Sequence, residues 1–295
     1  MDTLGFLGTG ISHERMRIPC QDALASRSME NGNRIWVLSD GAGSAEFAGQ
    51  AARCNTEGIL AFFGSCTLKS FLACSLQEQK KQLLKACTDA LGRCSEEFVH
   101  RPWDFSATLL FFVWDGGAWL AGHLGDGFLL IQDRDGEPLV CSAPDNGERS
   151  SQTWFTVSPD AMEHLRLYTD PVRLPGRMLM ISDGPCAMFR TRAGAYRETA
   201  EELLGYVRQG DITSAKTLAD VLDQMTHYAY DRRDDWSVWL WDQDADLEPQ
   251  TEITAQSMLE REMRKIEKQN SEEAMYEQEH GRTGDLEGSG PEMSD

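Results

Sequence analysis

Three short apolar runs of this chain end in Asp-Gly. IWVLS stops at Asp40-Gly41, AWLAGHLG at Asp126-Gly127, and MLMIS at Asp183-Gly184. Two further acidic positions border similar text: Asp22, after Gln21, and the pair Asp234-Asp235 just before WSVWLW. Asp and Gly are ordinary turn residues, and any one of these sites has that plain explanation. The set does not. Strand ends on one edge of a sheet layer lie close together, and carboxylates gathered there raise one another's pKa. A multivalent cation relieves that repulsion. Oxygen donors without paired His or Cys select hard ions, Mg²⁺ or Mn²⁺, over zinc. Glycine after each Asp lets the backbone approach closely, so its carbonyl is a further donor. Carboxylate-held ion pairs about 3.5–4 Å apart are a recurring device of phosphoryl chemistry. An arginine would then hold the phosphate oxygens in a bidentate fork. Arg17, five residues before Asp22, is the candidate.

Positioning these side chains requires strands that end together. Residues 33–39, 105–114, 118–124, 128–132, 178–182 and 236–241 read as strands, several apolar enough to be buried on both faces. The segment 134–137 (RDGE) reads as a hairpin turn. Helical spacing covers 45–63, 75–100, 197–209 and 214–230. Strands and helices come in blocks rather than in strict alternation, which favours an α+β layered fold with antiparallel sheets. On the period of a strand, Trp239 and Trp241 share a face and Trp236 points the other way.

Composition removes several function classes. With 295 residues and 41% apolar side chains, the chain can bury a real core. A net charge of −20 argues against a nucleic-acid-binding face. No apolar run approaches the roughly 20 residues of a membrane span, and the N-terminus reads as no signal peptide. Eight cysteines form neither C-x-x-C pairs nor zinc spacings. They read as small core residues in a reducing, cytoplasmic compartment. Residues 244–295 hold 15 acids against 5 bases, half of the chain's net charge. This divides the chain into a body, 1–243, and an acidic tail, 244–295. The tail reads as partly helical over 251–278 and then disordered.

The motifs, in their order, resemble the type 2C metal-dependent protein serine/threonine phosphatases, of a bacterial-like branch. Arg17-x-x-x-Gln21-Asp22 and then SDGAGS at 39–44 resemble the family's opening. Ser106-Ala107-Thr108 with Gly125-Asp126-Gly127 resembles its central strands and Gly-Asp-Ser motif. Ser182-Asp183-Gly184 resembles its Ser-Asp-Gly motif, and Asp234-Asp235-Trp236-Ser237 its closing Asp-Asn-x-Ser/Thr motif. The resemblance covers residues 4–242. It implies a four-layer α-β-β-α sandwich of two antiparallel sheets flanked by helices, with two Mg²⁺ or Mn²⁺ ions at one end and a weaker third in some members. It implies that Asp40 bridges both ions and that the Gly41 carbonyl binds one. Asp22 then contributes to the first ion, Asp183 and Asp234 hold the second, and Asp126 matches the position of the third. Arg17 grips the phosphate. The activity implied is hydrolysis of phosphoserine and phosphothreonine in proteins by in-line attack of a metal-activated water. A phosphorylated protein is the substrate, with a cognate Ser/Thr kinase as a candidate partner and signalling as the context.

Three departures from the family's pattern matter. Gln21 stands where many members carry Glu, Gly127 replaces a Ser, and Ala42 stands where many eukaryotic members have a His proposed as general acid. His13, four residues before Arg17, has a reference pKa of about 6.5 and is the nearest substitute acid, although a loop His is more often a polar filler. A second reading, from another class, is a pseudophosphatase that binds a phosphoprotein or its kinase. Only Ala42 and Gln21 favour it.

Overall fold

The structure is a computed structural model that describes residues 2–147, 152–185, 196–225, 234–247 and 251–253. In chain order the elements are β1 (Thr3–Gly8), α1 (Ile11–Met16), β2 (Ala23–Ser28), β3 (Arg34–Ser39), α2 (Ala48–Ser65), α3 (Leu68–Leu72) and α4 (Leu76–Cys94). There follow β4 (Leu109–Trp114), β5 (Trp119–Leu124), β6 (Phe128–Gln132), β7 (Pro138–Ser142), α5 (Ala161–His164), β8 (Arg166–Tyr168) and β9 (Arg177–Ile181). The last described are α6 (Tyr196–Gln209), α7 (Ala215–Met225), β10 (Trp236–Asp242) and β11 (Thr251–Ile253).

Two sheets form. One has six strands in the order β11-β1-β10-β9-β6-β7, the other five in the order β2-β3-β4-β5-β8. Every pairing is antiparallel except β11 on β1, which is parallel. The apolar runs are continuous because both faces of the central strands are covered. Along β3 and β4, Ile35, Val37, Leu109, Phe111 and Val113 pack with Ile59, Leu60 and Phe63 of α2. The alternate residues Trp36, Leu38, Leu110 and Phe112 pack with Leu129, Met178, Met180, Trp239 and Trp241 of the other sheet. Trp36, Phe112 and Trp241 meet there with ring centroids 5.5–5.7 Å apart. The Trp239 indole N–H donates to the Val37 carbonyl across the gap at 2.9 Å. Helices α6 and α7 lie against β1, β9 and β10 of the six-stranded sheet, and their Leu203, Leu204, Leu218 and Leu222 are buried. The architecture is therefore the expected α-β-β-α sandwich, with Trp239 and Trp241 on the inter-sheet face.

The departures are local. Residues 102–105 form a 3₁₀ turn, and β4 begins only at Leu109. The helix expected over 75–100 ends at Cys94 and gives way to a 3₁₀ turn at Glu96–Val99. The tail expected to be helical from 251 instead starts with β11, whose backbone pairs with Phe6–Gly8 of β1. An exposed sheet edge supplies hydrogen-bond partners that no side-chain pattern announces. Residues 254–295, including the remainder of that expected helix and the expected disordered end, lie outside the described residues, as do 226–230 of the expected 214–230 helix. No described helix is long and apolar enough to cross a membrane, and the seven described cysteines are free.

Candidate metal centre and active site

The two sheets bring their chemistry-bearing ends to one seam. Asp40 follows the last residue of β3, and Asp22 precedes the first of β2, both in the five-stranded sheet. Asp183 lies just past β9, and Asp234 lies just ahead of β10, both in the six-stranded sheet. Asp126 sits on the short crossing from β5 in one sheet to β6 in the other. Carboxylate oxygens of Asp40, Asp126 and Asp183 all lie within 4.8 Å of one another.

The local sequence explains how each is held. The Asp40 N–H donates to the Thr108 hydroxyl at 3.0 Å, and the Asp40 carbonyl accepts from the Thr108 N–H at 2.8 Å. Ser39 Oγ donates to the Thr108 carbonyl at 2.5 Å. Thr108 is thus occupied with the Asp40 turn, which is why β4 starts one residue later. A side chain at Gly41 would meet the Ala48 carbonyl at 2.7 Å and the Gln21 carbonyl at 2.8 Å, so only glycine lets the Asp40 turn approach the Asp22 loop. At Gly127, a Cβ would lie 2.6 Å from the Ile181 carbonyl. The glycine in place of serine is therefore demanded by the crossing's close approach to β9.

Burial and mutual repulsion dominate the electrostatics. Asp22 is 4% exposed. Its carboxyl is pushed well above the usual range, first by burial and then by Asp235, with Asp183 adding to it. The Ser237 hydroxyl opposes that rise by donating to Asp22 Oδ2 at 2.7 Å. Asp40 is likewise pushed well up, by burial first and then by Asp22, Asp183 and Asp126. Asp234 reaches solvent at the rim, yet its carboxyl rises to about 6, through burial first and Asp183 second. The raised carboxyls of Asp22, Asp40 and Asp234, beside the oxygens of Asp126 and Asp183 and with no His or Cys in the cluster, fit a hard divalent cation. The side-chain oxygen of Gln21, the residue before Asp22, is buried with no hydrogen-bond partner among the described residues, an acceptor that a cation or a hydrated ion would satisfy.

Among the residues singled out from sequence, Asp40, Asp126 and Asp183 form the central triad, and Asp22 and Asp234 interact electrostatically with it. Gly41 adjoins it through Asp40 and a bridge to Ala107. Arg17 is exposed, at the C-cap of α1, in the left-handed conformation with φ 59°. His13 is not a loop filler. It lies in α1, is 9% exposed, and its Nδ1 lies 2.8 Å from Asp235 Oδ2. His123 is buried, as expected, with Nδ1 on Ser142 Oγ at 2.8 Å.

Sequence reasoning assigned no role to Asp235, Ser237 or Thr108. Asp235 is 2% exposed, and its oxygens accept from Gly10 N–H, Gln21 N–H and His13. The signal was present as the acid pair Asp234-Asp235, but the family's pattern has Asn at the second place, and Asn carries no charge to be explained.

The family described as "Protein phosphatase 2C" matches residues 9–223. Among solved structures, a bacterial serine phosphatase superposes with a TM-score of 0.57 at 14% identity, covering 83% of this chain and 99% of that one. Serine/threonine phosphatase Stp1 from Staphylococcus aureus gives 0.57 at 12% identity over 83% of this chain and 96% of its own. The serine/threonine phosphatase PstP/Ppp of Mycobacterium tuberculosis gives 0.54 at 16% over 83% and 98%. At such identities the structural likeness carries the fold. Comparison with curated protein sequences found no match.

Proposed function

The chain belongs to the protein phosphatase 2C family, and we propose that it is a Mg²⁺- or Mn²⁺-dependent phosphatase that hydrolyses phosphoserine and phosphothreonine in proteins. The observation that carries this reading is the meeting of Asp40, Asp126 and Asp183 oxygens within 4.8 Å, each from a different strand end. Asp40, the Gly41 carbonyl, Asp22, Asp183 and Asp234 would hold two divalent ions, and Asp126 would help hold a weaker third. Bound divalent ions would supply Lewis acidity toward the phosphate and a water acidic enough to attack it at neutral pH.

The chain's own groups do the rest. The Arg17 guanidinium holds the phosphate oxygens through paired N–H donors. Ser237 keeps Asp22 turned inward, and Thr108 fixes the backbone of Asp40. Ala42 offers no proton to the leaving alkoxide, and the Nδ1 of His13 is committed to Asp235. The acidic stretch from 244 onward is proposed as a tail without a part in the chemistry; its residues Thr251–Ile253 join the body's sheet as β11. Free cysteines suit a reducing cytoplasm, where a Ser/Thr kinase would generate the substrate.

The test is hydrolysis of p-nitrophenyl phosphate and of a phosphothreonine peptide, each with Mn²⁺ and with EDTA. Turnover with Mn²⁺ and none with EDTA is expected. Equal turnover in chelator overturns the metal-dependent reading. Absence of both turnover and calorimetric Mn²⁺ binding favours the pseudophosphatase module.

A further inference from the structure

Asp235 connects two ends of the segment that carries both Arg17 and Asp22. Its Oδ1 accepts from the N–H of Gly10 at 2.7 Å, at the start of α1. Its Oδ2 accepts from the N–H of Gln21 at 2.6 Å, the residue before Asp22. The same Oδ2 lies 2.8 Å from Nδ1 of His13, in the middle of α1. These contacts span more than 200 residues of sequence and close a loop from 10 to 21 onto the strand end that also bears Asp234. The backbone of His13 extends the connection. Its carbonyl accepts from the Ile18 N–H at 2.8 Å, and the neighbouring Glu14 carbonyl accepts from the Arg17 N–H at 3.0 Å. Arg17 sits at the apex of that turn with φ 59°, a conformation that non-glycine residues reach only when the surroundings impose it.

Resting on the phosphatase reading, we propose that His13 and Asp235 are positioning residues: together they fix the turn that presents Arg17 to the substrate phosphate. His13 is neither general acid nor metal ligand. Nδ1 directed at a buried carboxylate donates to it, and that bond ties the middle of α1 to the strand end that bears Asp234. Without it, Asp235 keeps its backbone bonds at Gly10 and Gln21, the two ends of the loop, and the Arg17 turn between them gains freedom that a bidentate grip on phosphate cannot tolerate.

Two substitutions separate this role from its rivals. Asn at 13 places an amide nitrogen near the position of Nδ1 and has no titratable proton. His13→Ala is expected to raise KM for a phosphothreonine peptide about tenfold or more while kcat falls less. His13→Asn is expected to restore KM to within about threefold of the wild type, with the same pH–rate profile. If His13→Asn is as impaired in kcat as His13→Ala and loses one limb of the profile, His13 is an acid and the proposal fails. If His13→Ala lowers the melting temperature but leaves KM and kcat within about twofold, its role is structural only and the proposal fails. Should His13→Ala not fold, the His13→Asn comparison still decides between acid and positioning roles. Wild-type protein inactive with Mn²⁺ refutes the phosphatase reading instead, so the two failures are distinct.

Discussion

Replacing Asp40 with Asn should stabilise the metal-free protein while abolishing its chemistry. An oxygen of Asp40 lies within 4.8 Å of oxygens from both Asp126 and Asp183. Two full charges at that separation repel by about 3 kcal/mol at an effective dielectric of about 20. Burial and the neighbouring Asp22, Asp183 and Asp126 push the Asp40 carboxyl well up, the direction this repulsion requires. Relief of about 1–3 kcal/mol is therefore the expected gain in EDTA near pH 8. For a body of this size each kcal/mol moves the melting temperature by about 2–4 °C, so Asp40→Asn should melt a few degrees above wild type. The amide keeps the backbone bonds to Thr108, so the turn itself is not disturbed. In Mn²⁺ the order should reverse. A ligand present at about 100 times its Kd adds about 2.7 kcal/mol to the wild type and little to a variant lacking the bridging carboxylate. Differential scanning fluorimetry in EDTA and in Mn²⁺, with a p-nitrophenyl phosphate assay alongside, reads both effects. If Asp40→Asn melts lower than wild type in EDTA, the carboxylates are not in the conflict described and the argument for a cation fails.

Other perturbations probe the same cluster. Asp234, with its carboxyl raised to about 6, favours the protonated fold. Its contribution to metal-free stability is thus full below its unfolded value of about 4 and is lost as pH rises through about 6. Ion binding must expel that proton. Mn²⁺ affinity should fall roughly tenfold per pH unit for each proton displaced below about pH 6, and calorimetry in two buffers of different ionisation enthalpy should show the release. A flat affinity between pH 5 and pH 7 would falsify this assignment. Ser237→Ala removes the 2.7 Å bond to buried Asp22. Hydrogen bonds to charged groups contribute about 1.5–3 kcal/mol, so Mn²⁺ binding measured at pH 8 should weaken about tenfold or more, and unchanged affinity would remove Asp22 from the site. Gly184→Ala would place a Cβ 2.1 Å from the Asp235 carbonyl oxygen. The Asp183 and Asp234 turns must then separate, with a stability loss of about 1–3 kcal/mol and loss of turnover; a fully active variant would show that their close approach is not needed.

The parts of this fold legible in sequence were those whose environment leaves a one-dimensional trace. Strands β3, β4, β6 and β9 are covered on both faces, so each reads as an unbroken apolar run between turn residues. Strand β2 does not: only its first residue is buried, and its pattern ALASRS fades to exposed serine and arginine. It is specified by pairing with β3, from Ala23 on Ser39 to Ser28 on Arg34, which is a property of two segments together. Strand β11 follows the same rule on the sheet's outer edge. At the site, Asp40, Asp126 and Asp183 were legible because each closes an apolar run with Asp-Gly. Asp235 was not, because its three donors come from residues 10, 13 and 21, far along the chain.

That division also explains why the cluster resides where it does. A carboxylate at a strand end is inexpensive alone, since it can face water. It becomes costly only when the inter-sheet core draws the two layers together. Trp36, Phe112, Trp239 and Trp241 do this, burying their rings between the sheets and setting how closely the strand ends of one layer approach those of the other. Apolar burial thus works against carboxylate repulsion at the seam, and the apolar term is the larger, since each buried aromatic removes some 150–250 Å² from water. A bound divalent ion would convert the opposed term into a favourable one. On this account loosening the core should act at a distance: Trp241→Leu, which leaves every carboxylate in place, should weaken Mn²⁺ binding as well as lower stability. Measured by calorimetry on folded protein, a Trp241→Leu variant with unaltered Mn²⁺ affinity would show that the seam's geometry is set by the turns alone.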